Sequence, residues 1–286
     1  MQLSDRALLV QFNVSQWTAR KFDKKATKEV ADAHGVNASV GRYNKSLLPL
    51  NDYLANVHQK TGYIRNKYYE NTLPWGIEGT QLLPTSNYLN FINDFRKEKA
   101  EWETLVRLFV ANYGLLKADA KRFLGSLYSD ADYPHESEIA HKFKMDMAVF
   151  PVPSNDFRVS IGQEELSRIQ QDVEARVERA SSEAMRDVWQ RLYDKVEHLL
   201  DKMVKVDDPK SRFHESSIEH VQNLCELLPR LNFTDDPNLE AMRKEVEHKL
   251  ANLNKDAIVG NDTFRKQKVD ETKDIMDRMK AFMGVA

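Results

Sequence analysis

SLLPLNDYLANVHQKTGYIRNKYYEN (46–71) and TSNYLNFINDFRKEKAEWETLVRLFVANY (85–113) decide the fold. In the first, Leu47, Leu50, Leu54, Val57, Thr61, Ile64 and Tyr68 follow one another at steps of three and four. In the second, Tyr88, Ile92, Phe95, Lys99, Trp102, Val106, Phe109 and Tyr113 do the same. Alternating steps of three and four line one side of an α-helix. Two such segments around a breaker-rich joint, with Pro74, Gly76 and Pro84, read as an antiparallel helical hairpin from about Ser46 to Asn71 and from Thr85 to Tyr113. Thr85 and Ser86 are suitable N-caps for the second helix. Lys99 interrupts an aromatic seam. It either fixes register or lays its stem over Phe95 and Trp102 with the amine in water.

The joint, Thr72 to Pro84, carries Leu73, Trp75, Ile77 and Leu82. Loops with apolar anchors are frequent binding surfaces, so these four are candidate protein-binding residues. The alternative is that the joint tucks under its own hairpin.

Upstream, Leu8, Val10, Phe12 and Val14 alternate with Leu9, Gln11, Asn13 and Ser15. Period two predicts a half-buried strand. A basic helix is expected from Thr18 to Ala33, ended by His34-Gly35, with a loop over 36–45. Arg20, Lys21, Lys24, Lys25 and Lys28 cluster there, and residues 1–71 hold 11 Lys/Arg against 6 Asp/Glu while the whole chain is at −2. Cations at a helix start oppose the dipole, which a bound anion would relieve. Trp17 is placed to stack on a base. These five residues are the candidate nucleic-acid-binding set, against the plainer reading of a solvated basic face.

Downstream, Leu116 to Leu127 reads as a shorter helix. Lys144 to Val152, and Phe157, Val159 and Ile161, read as two strands around Pro153-Ser154-Asn155-Asp156. The N-terminal strand is the natural third member, bringing Leu8 beside Val149 or Val159. From Gln163 to Val206 there is neither Gly nor Pro, and an apolar stripe runs Leu166, Ile169, Val173, Val177, Ala180, Ala184, Val188, Leu192, Val196, Leu199, Met203. That is roughly 60 Å of helix. The steps average nearer 3.7 than 3.5, which favours a nearly straight stripe. Asp207-Asp208-Pro209, Asp235-Asp236-Pro237 and Asn261-Asp262 then read as starts of three more helices. Those helices are expected to pack back along the long one; an intermolecular stripe is the other possibility.

The expected fold class is therefore mainly α: an elongated helical bundle or coiled-coil hairpin with a small antiparallel three-stranded sheet. The expected division is 1–162 and 163–286. With 286 residues, 41% hydrophobic and 30% charged, and a mean hydropathy of −0.61, the chain suits long helices that bury one stripe. One cysteine, Cys225, excludes an intramolecular disulfide and suits a reducing compartment. The start lacks a signal-peptide pattern and no apolar run reaches transmembrane length, so a cytoplasmic protein without a membrane partner is expected.

Chemical motifs are sparse. Gly35 to Arg42 has the wrong spacing and the wrong residues for a phosphate loop, and it follows a helix rather than a strand. Asp130, Asp132, His135, Glu136, Glu138 and His141 are the densest acid/His cluster, readable as a metal site or as a solvated turn with capping acids. Cys225 lies at helical spacing with Val221, Leu224 and Leu228, as a small core residue does. No catalytic, cofactor or metal residues are assigned.

Several short motifs together carry a resemblance: Trp17-Thr18-Ala19-Arg20-Lys21, Leu73-Pro74-Trp75, Leu83-Pro84, Arg122-Phe123-Leu124-Gly125 and Met147-Ala148-Val149-Phe150-Pro151-Val152. Over about residues 5–205 the chain resembles an uncharacterised helical family of tailed bacteriophages and integrative elements. The resemblance implies a virus-encoded protein in the bacterial cytoplasm. Its members are sometimes encoded near ring-forming ATPases and von Willebrand-type proteins, which implies an adaptor. No functional residue carries over. The expected function is a non-enzymatic binding or assembly protein with a phage or host protein partner or a second copy of itself. Nucleic-acid binding by the basic head is the alternative, and a metal-dependent enzyme a second alternative.

Overall fold

The computed structural model describes residues 2–154, 163–208 and 211–283. In chain order the elements are β1 (Ala7–Ser15), β2 (Arg20–Phe22), α1 (Lys24–Ala33), β3 (Asn44–Ser46), α2 (Asp52–Asn71), β4 (Leu73–Pro74), β5 (Thr80–Pro84) and α3 (Thr85–Leu124). They continue with α4 (Glu136–Ile139), β6 (Lys144–Pro151), α5 (Gln163–Val204), α6 (Glu215–Leu231), α7 (Pro237–Lys249), α8 (Lys255–Gly260) and α9 (Asp262–Met283). The mainly-α class holds. The sheet is larger than expected: four strands in the order β4-β5-β1-β6, with β2 and β3 forming a separate ribbon. β6 lies beside β1, the neighbour expected for the N-terminal strand. The second arm of the expected hairpin, Phe157 to Ile161, falls outside the described residues.

Two compact units divide the chain. One comprises Met1–Gln11, Tyr68–Ile92 and Ala148–Ala286, the other Phe12–Lys67 and Asn93–Met147. The chain changes unit at 11/12, 67/68, 92/93 and 147/148 rather than at the expected 162. We call them the aliphatic and the basic unit.

In the aliphatic unit, α5 packs against α6, α7, α9 and β4. The stripe of α5 is buried from Ala180 through Ala184, Val188, Leu192, Val196, Leu199 and Met203. Leu166, Ile169 and Val173, about two to four turns earlier, remain half-exposed. The stripe is thus covered by the chain's own C-terminal helices, because each of those buries an apolar face that cannot stand alone in water. α7 starts as its sequence indicates: the Asp236 carboxylate accepts from the Asn238 and Leu239 amides, with Pro237 at the first position. α6 starts later than expected, at Glu215. Trp189 Nε1 donates to Asp236 Oδ2 at 3.0 Å and its ring stacks on Phe282.

Of the two readings of the joint between α2 and α3, the buried one fits this unit. Leu73, Trp75 and Leu82 are core residues, and only Ile77 is exposed, at 60%. The segment forms β4 and β5, with Leu73 opposite Leu82, and β5 pairs antiparallel with β1 from Ala7↔Pro84 to Gln11↔Thr80. Pairing satisfies backbone groups that a loop would leave to water, and the consecutive Leu82 and Leu83 are both buried, so the strand is covered on its two faces. Arg191 fastens the joint by donating to the Glu70 and Thr72 carbonyls at 2.8 and 2.7 Å.

In the basic unit, Leu54, Val57, Thr61 and Ile64 of α2 are buried at the expected spacing, as are Phe95, Trp102, Val106, Phe109 and Tyr113 of α3. Leu50 departs from the seam and is fully exposed, because α2 begins only after Pro49, with the Asn51 side chain accepting from the Leu54 amide. α3 is one helix of 40 residues rather than two, since Tyr113, Leu116 and Ala120 continue the buried stripe. Gly114 alone does not break it: a helix-interior Gly costs about 1 kcal/mol. A Cβ at Gly114 would lie 3.1 Å from a Glu136 carboxylate oxygen. The polar residue of the seam is Thr61, not Lys99: its hydroxyl accepts from Trp102 Nε1 at 2.8 Å and donates to Gln16 Oε1 at 2.8 Å. Lys99 turns outward toward Glu103.

Candidate nucleic-acid interface

The basic cluster lies on two elements rather than on one helix. Ala19 adopts a left-handed conformation (φ 53°), and the chain then runs as β2 before Asp23 caps α1. Arg20 and Lys21 therefore belong to the ribbon, while Lys24, Lys25 and Lys28 belong to the helix. Register places Lys21 directly opposite Lys45, and Phe22 opposite Asn44. Side chains alternate across a strand, so Lys21 and Lys45 share one face of the ribbon and Arg20 and Phe22 the other.

Two lysines directly opposite repel one another. Asp132 resolves the conflict. Its Oδ1 pairs with Lys21 at 2.7 Å and its Oδ2 with Lys45 at 2.8 Å. Lys45 is buried and also meets Asp23 Oδ2 at 3.0 Å and the Leu127 carbonyl at 2.7 Å. Burial alone would push the Asp132 carboxyl up, but the two ammonium groups outweigh it and hold the carboxyl below its ordinary range. The Lys45 amine is raised by the same contacts, again against burial. The Ala26 amide and then Lys45 hold Asp23 low. The inner face of the ribbon is thus fully neutralised and rigidly held.

The outer face is not. Among the described residues, Arg20, Lys24 and Lys28 are exposed and make no ion pair, and Lys25 reaches only Glu29, at 3.8 Å. Lys24 and Lys28, four apart, project from one side of α1. Arg42 lays its guanidinium over the Phe22 ring at 4.7 Å. Tyr43 is 41% exposed beside α1, its amide donating to Thr27 Oγ1 and its carbonyl accepting from the Asp23 amide. Arg20 and Arg42 lie on the ribbon side and Lys24 and Lys28 on α1, four exposed cations within one stretch of the unit.

Two expectations need correction here. The start of α1 is no open anion site, because the Asp23 carboxylate already accepts from Ala26 N at 3.0 Å. Trp17 is no free stacking platform either: its ring packs on Phe109 and Tyr113. Arg42 and Tyr43 lie at the end of the Gly35–Arg42 segment, whose glycine spacing draws the reading toward a phosphate loop. The signal available was an Arg-Tyr pair between a basic helix and a strand.

The acid/His cluster does not converge. Asp130 pairs with Lys117 and Tyr128, Asp132 with the two lysines, and His135 caps α4 through Ser137. Among the described residues no three His, Cys, Asp or Glu side chains are placed to hold a metal ion. Cys225 is fully buried and its thiol is pushed up to about 12 by burial, so it carries no thiolate near neutral pH. Among the described residues no helix is long and apolar enough to cross a membrane. Comparison with known proteins yields no match: no family model, no curated protein and no solved structure is similar to this chain.

Proposed function

We propose that this is a non-enzymatic binding protein whose basic unit holds nucleic acid through Arg20, Lys24, Lys28 and Arg42. The observation that carries the reading is that, among the described residues, none of the four has an acidic partner, beside a ribbon whose inner lysines are paired with Asp132 and Asp23. Cations left free on a rigid frame gain from phosphate contact and release counterions. This reading stands ahead of protein docking at residues 73–82, since three of the four apolar anchors there are core. The resemblance to a phage family would set such binding in an infected bacterial cell, with the protein as an adaptor between a nucleic acid and a phage or host protein.

The test is fluorescence polarisation with a labelled mixed-sequence DNA duplex at about 50 mM salt. Four phosphate contacts give a slope of log K against log salt of roughly −3.6. Lys24→Glu with Lys28→Glu should weaken binding at least tenfold and leave the melting temperature unchanged, both side chains being exposed. Absence of binding at that salt removes the proposal.

A further inference from the structure

α3 carries a second stripe, on the side away from its buried one. Leu108, Ala111, Leu115 and Ala118 follow at steps of three, four and three, and all four are exposed, Leu108 by 50% and Leu115 by 70%. The buried set of the same helix, Val106, Phe109, Tyr113, Leu116 and Ala120, lies on the opposite side of the wheel. Steps of three and four on an outer face form the seam that a second helix covers. Leucine beside alanine leaves alternating ridges and hollows.

The rim indicates the partner. Lys97 and Arg122 lie in line with the stripe at either end, and Arg107 borders one edge with Lys121 beyond it. The acids on the rim have cationic partners: on the other edge Glu101 meets Lys60 at 2.5 Å and Asp119 meets Arg122 at 2.7 Å, and on the Arg107 edge Glu103 meets Lys99 at 4.0 Å. Among the described residues, Lys97, Arg107 and Lys121 make no ion pair with an acid, and Arg107 donates only to Thr104 Oγ1. A second copy of this chain is a poor occupant: paired antiparallel about the middle of the stripe, it would set the Arg107 edge of one copy against the Lys121 edge of the other. We infer that this face docks an amphipathic helix of another protein, with leucine-type residues along its seam and Asp or Glu along its flanks. It is a surface separate from the cationic face of α1 and does not depend on the nucleic-acid reading.

The probes are two labelled three-heptad peptides with leucine at both seam positions, one with Glu on the flanking positions and one with Lys. Fluorescence anisotropy against the full chain should show the Glu peptide binding at least tenfold tighter than the Lys peptide. Leu115→Glu should weaken the Glu peptide at least tenfold with no change in melting temperature. Arg107→Glu, a polar exchange at an exposed position, should narrow or reverse the preference between the peptides, and it serves if Leu115→Glu disturbs folding. Equal binding of both peptides, or binding of neither, overturns the inference. So does a dimeric mass by light scattering that becomes monomeric in Leu115→Glu, which would assign the face to a second copy.

Discussion

The two units are held together by different chemistry. In the aliphatic unit the core is a continuous packing of Val188, Leu192, Val196 and Leu199 against residues such as Val221, Leu228, Val246 and Ile275, all essentially inaccessible to water. In the basic unit the interior is aromatic and polar. Trp17, Phe109, Tyr113 and Phe143 meet edge to face or tilted, Thr61 pins Trp102, and Asp132 and Lys45 form a buried ion pair. Charge follows the same division: the basic unit has 19 Lys/Arg against 14 Asp/Glu, the aliphatic unit 23 against 30. Aliphatic packing is forgiving of shape and non-directional. A buried ion pair is directional and strongly penalised when one partner is removed. The unit that presents cations outward therefore also holds cations inward, each paired with a named carboxylate, and the ribbon beneath the exposed cations depends on that network.

The largest effect is expected from a charge placed in the aliphatic core. Val188 is fully buried, so Val188→Asp should destabilise that unit by at least 3 kcal/mol. Circular-dichroism melting checks it. An unchanged melting temperature would mean that the α5 stripe is not where the core lies.

Asp132→Asn should cost the basic unit about 3 kcal/mol, because Lys45 stays buried with half its neutralising charge gone. Asp130→Asn, at a 77% exposed carboxylate screened by water, should leave the melting temperature essentially unchanged. Equal effects from both would show that Asp132 is not the bracket described. Hydrogen exchange resolves which unit loosens.

Acid sharpens the same contrast. The Asp132 and Asp23 carboxyls are lower in the folded chain than in the unfolded one. Their contribution is therefore present above the unfolded value of about 3.9 and is lost as pH falls through the folded values. The basic unit should loosen below about pH 4, and Asp132→Asn should flatten that dependence. In the aliphatic unit Glu245, held at about 2 chiefly by Arg278 and then by Lys249, ties α7 to α9. Its contribution likewise persists above the unfolded Glu value of about 4.3 and fades toward pH 2. Glu245→Gln should remove only that component. Melting curves from pH 7 to pH 2, followed by exchange in each unit, separate the two.

The smallest effect tests the seam. Thr61→Val keeps shape but strands the Trp102 indole N–H, and should cost about 1–2 kcal/mol. A cost near zero would mean that apolar packing alone sets the α2–α3 register there.

Much of the helical architecture is local and therefore legible in the sequence. The spacing of Leu54, Val57, Thr61 and Ile64, and of Phe95, Trp102, Phe109 and Tyr113, gives the helices and their buried sides, because a helix repeats every 3.6 residues whatever surrounds it. Asp236 before Pro237 gives the start of α7 for the same reason, a cap being a contact between near neighbours. What covers a face is not local. Leu73 and Leu82 read as loop anchors until β5 pairs with β1, about 70 residues away in the chain. Which of the basic residues stay free depended on Asp132, more than a hundred residues beyond Lys21. Both stripes of α3 stand in the sequence at the same spacing. Only the tertiary structure decided that the aromatic one is buried and the Leu108–Ala118 one faces water, because burial is settled by the total surface the rest of the chain can cover.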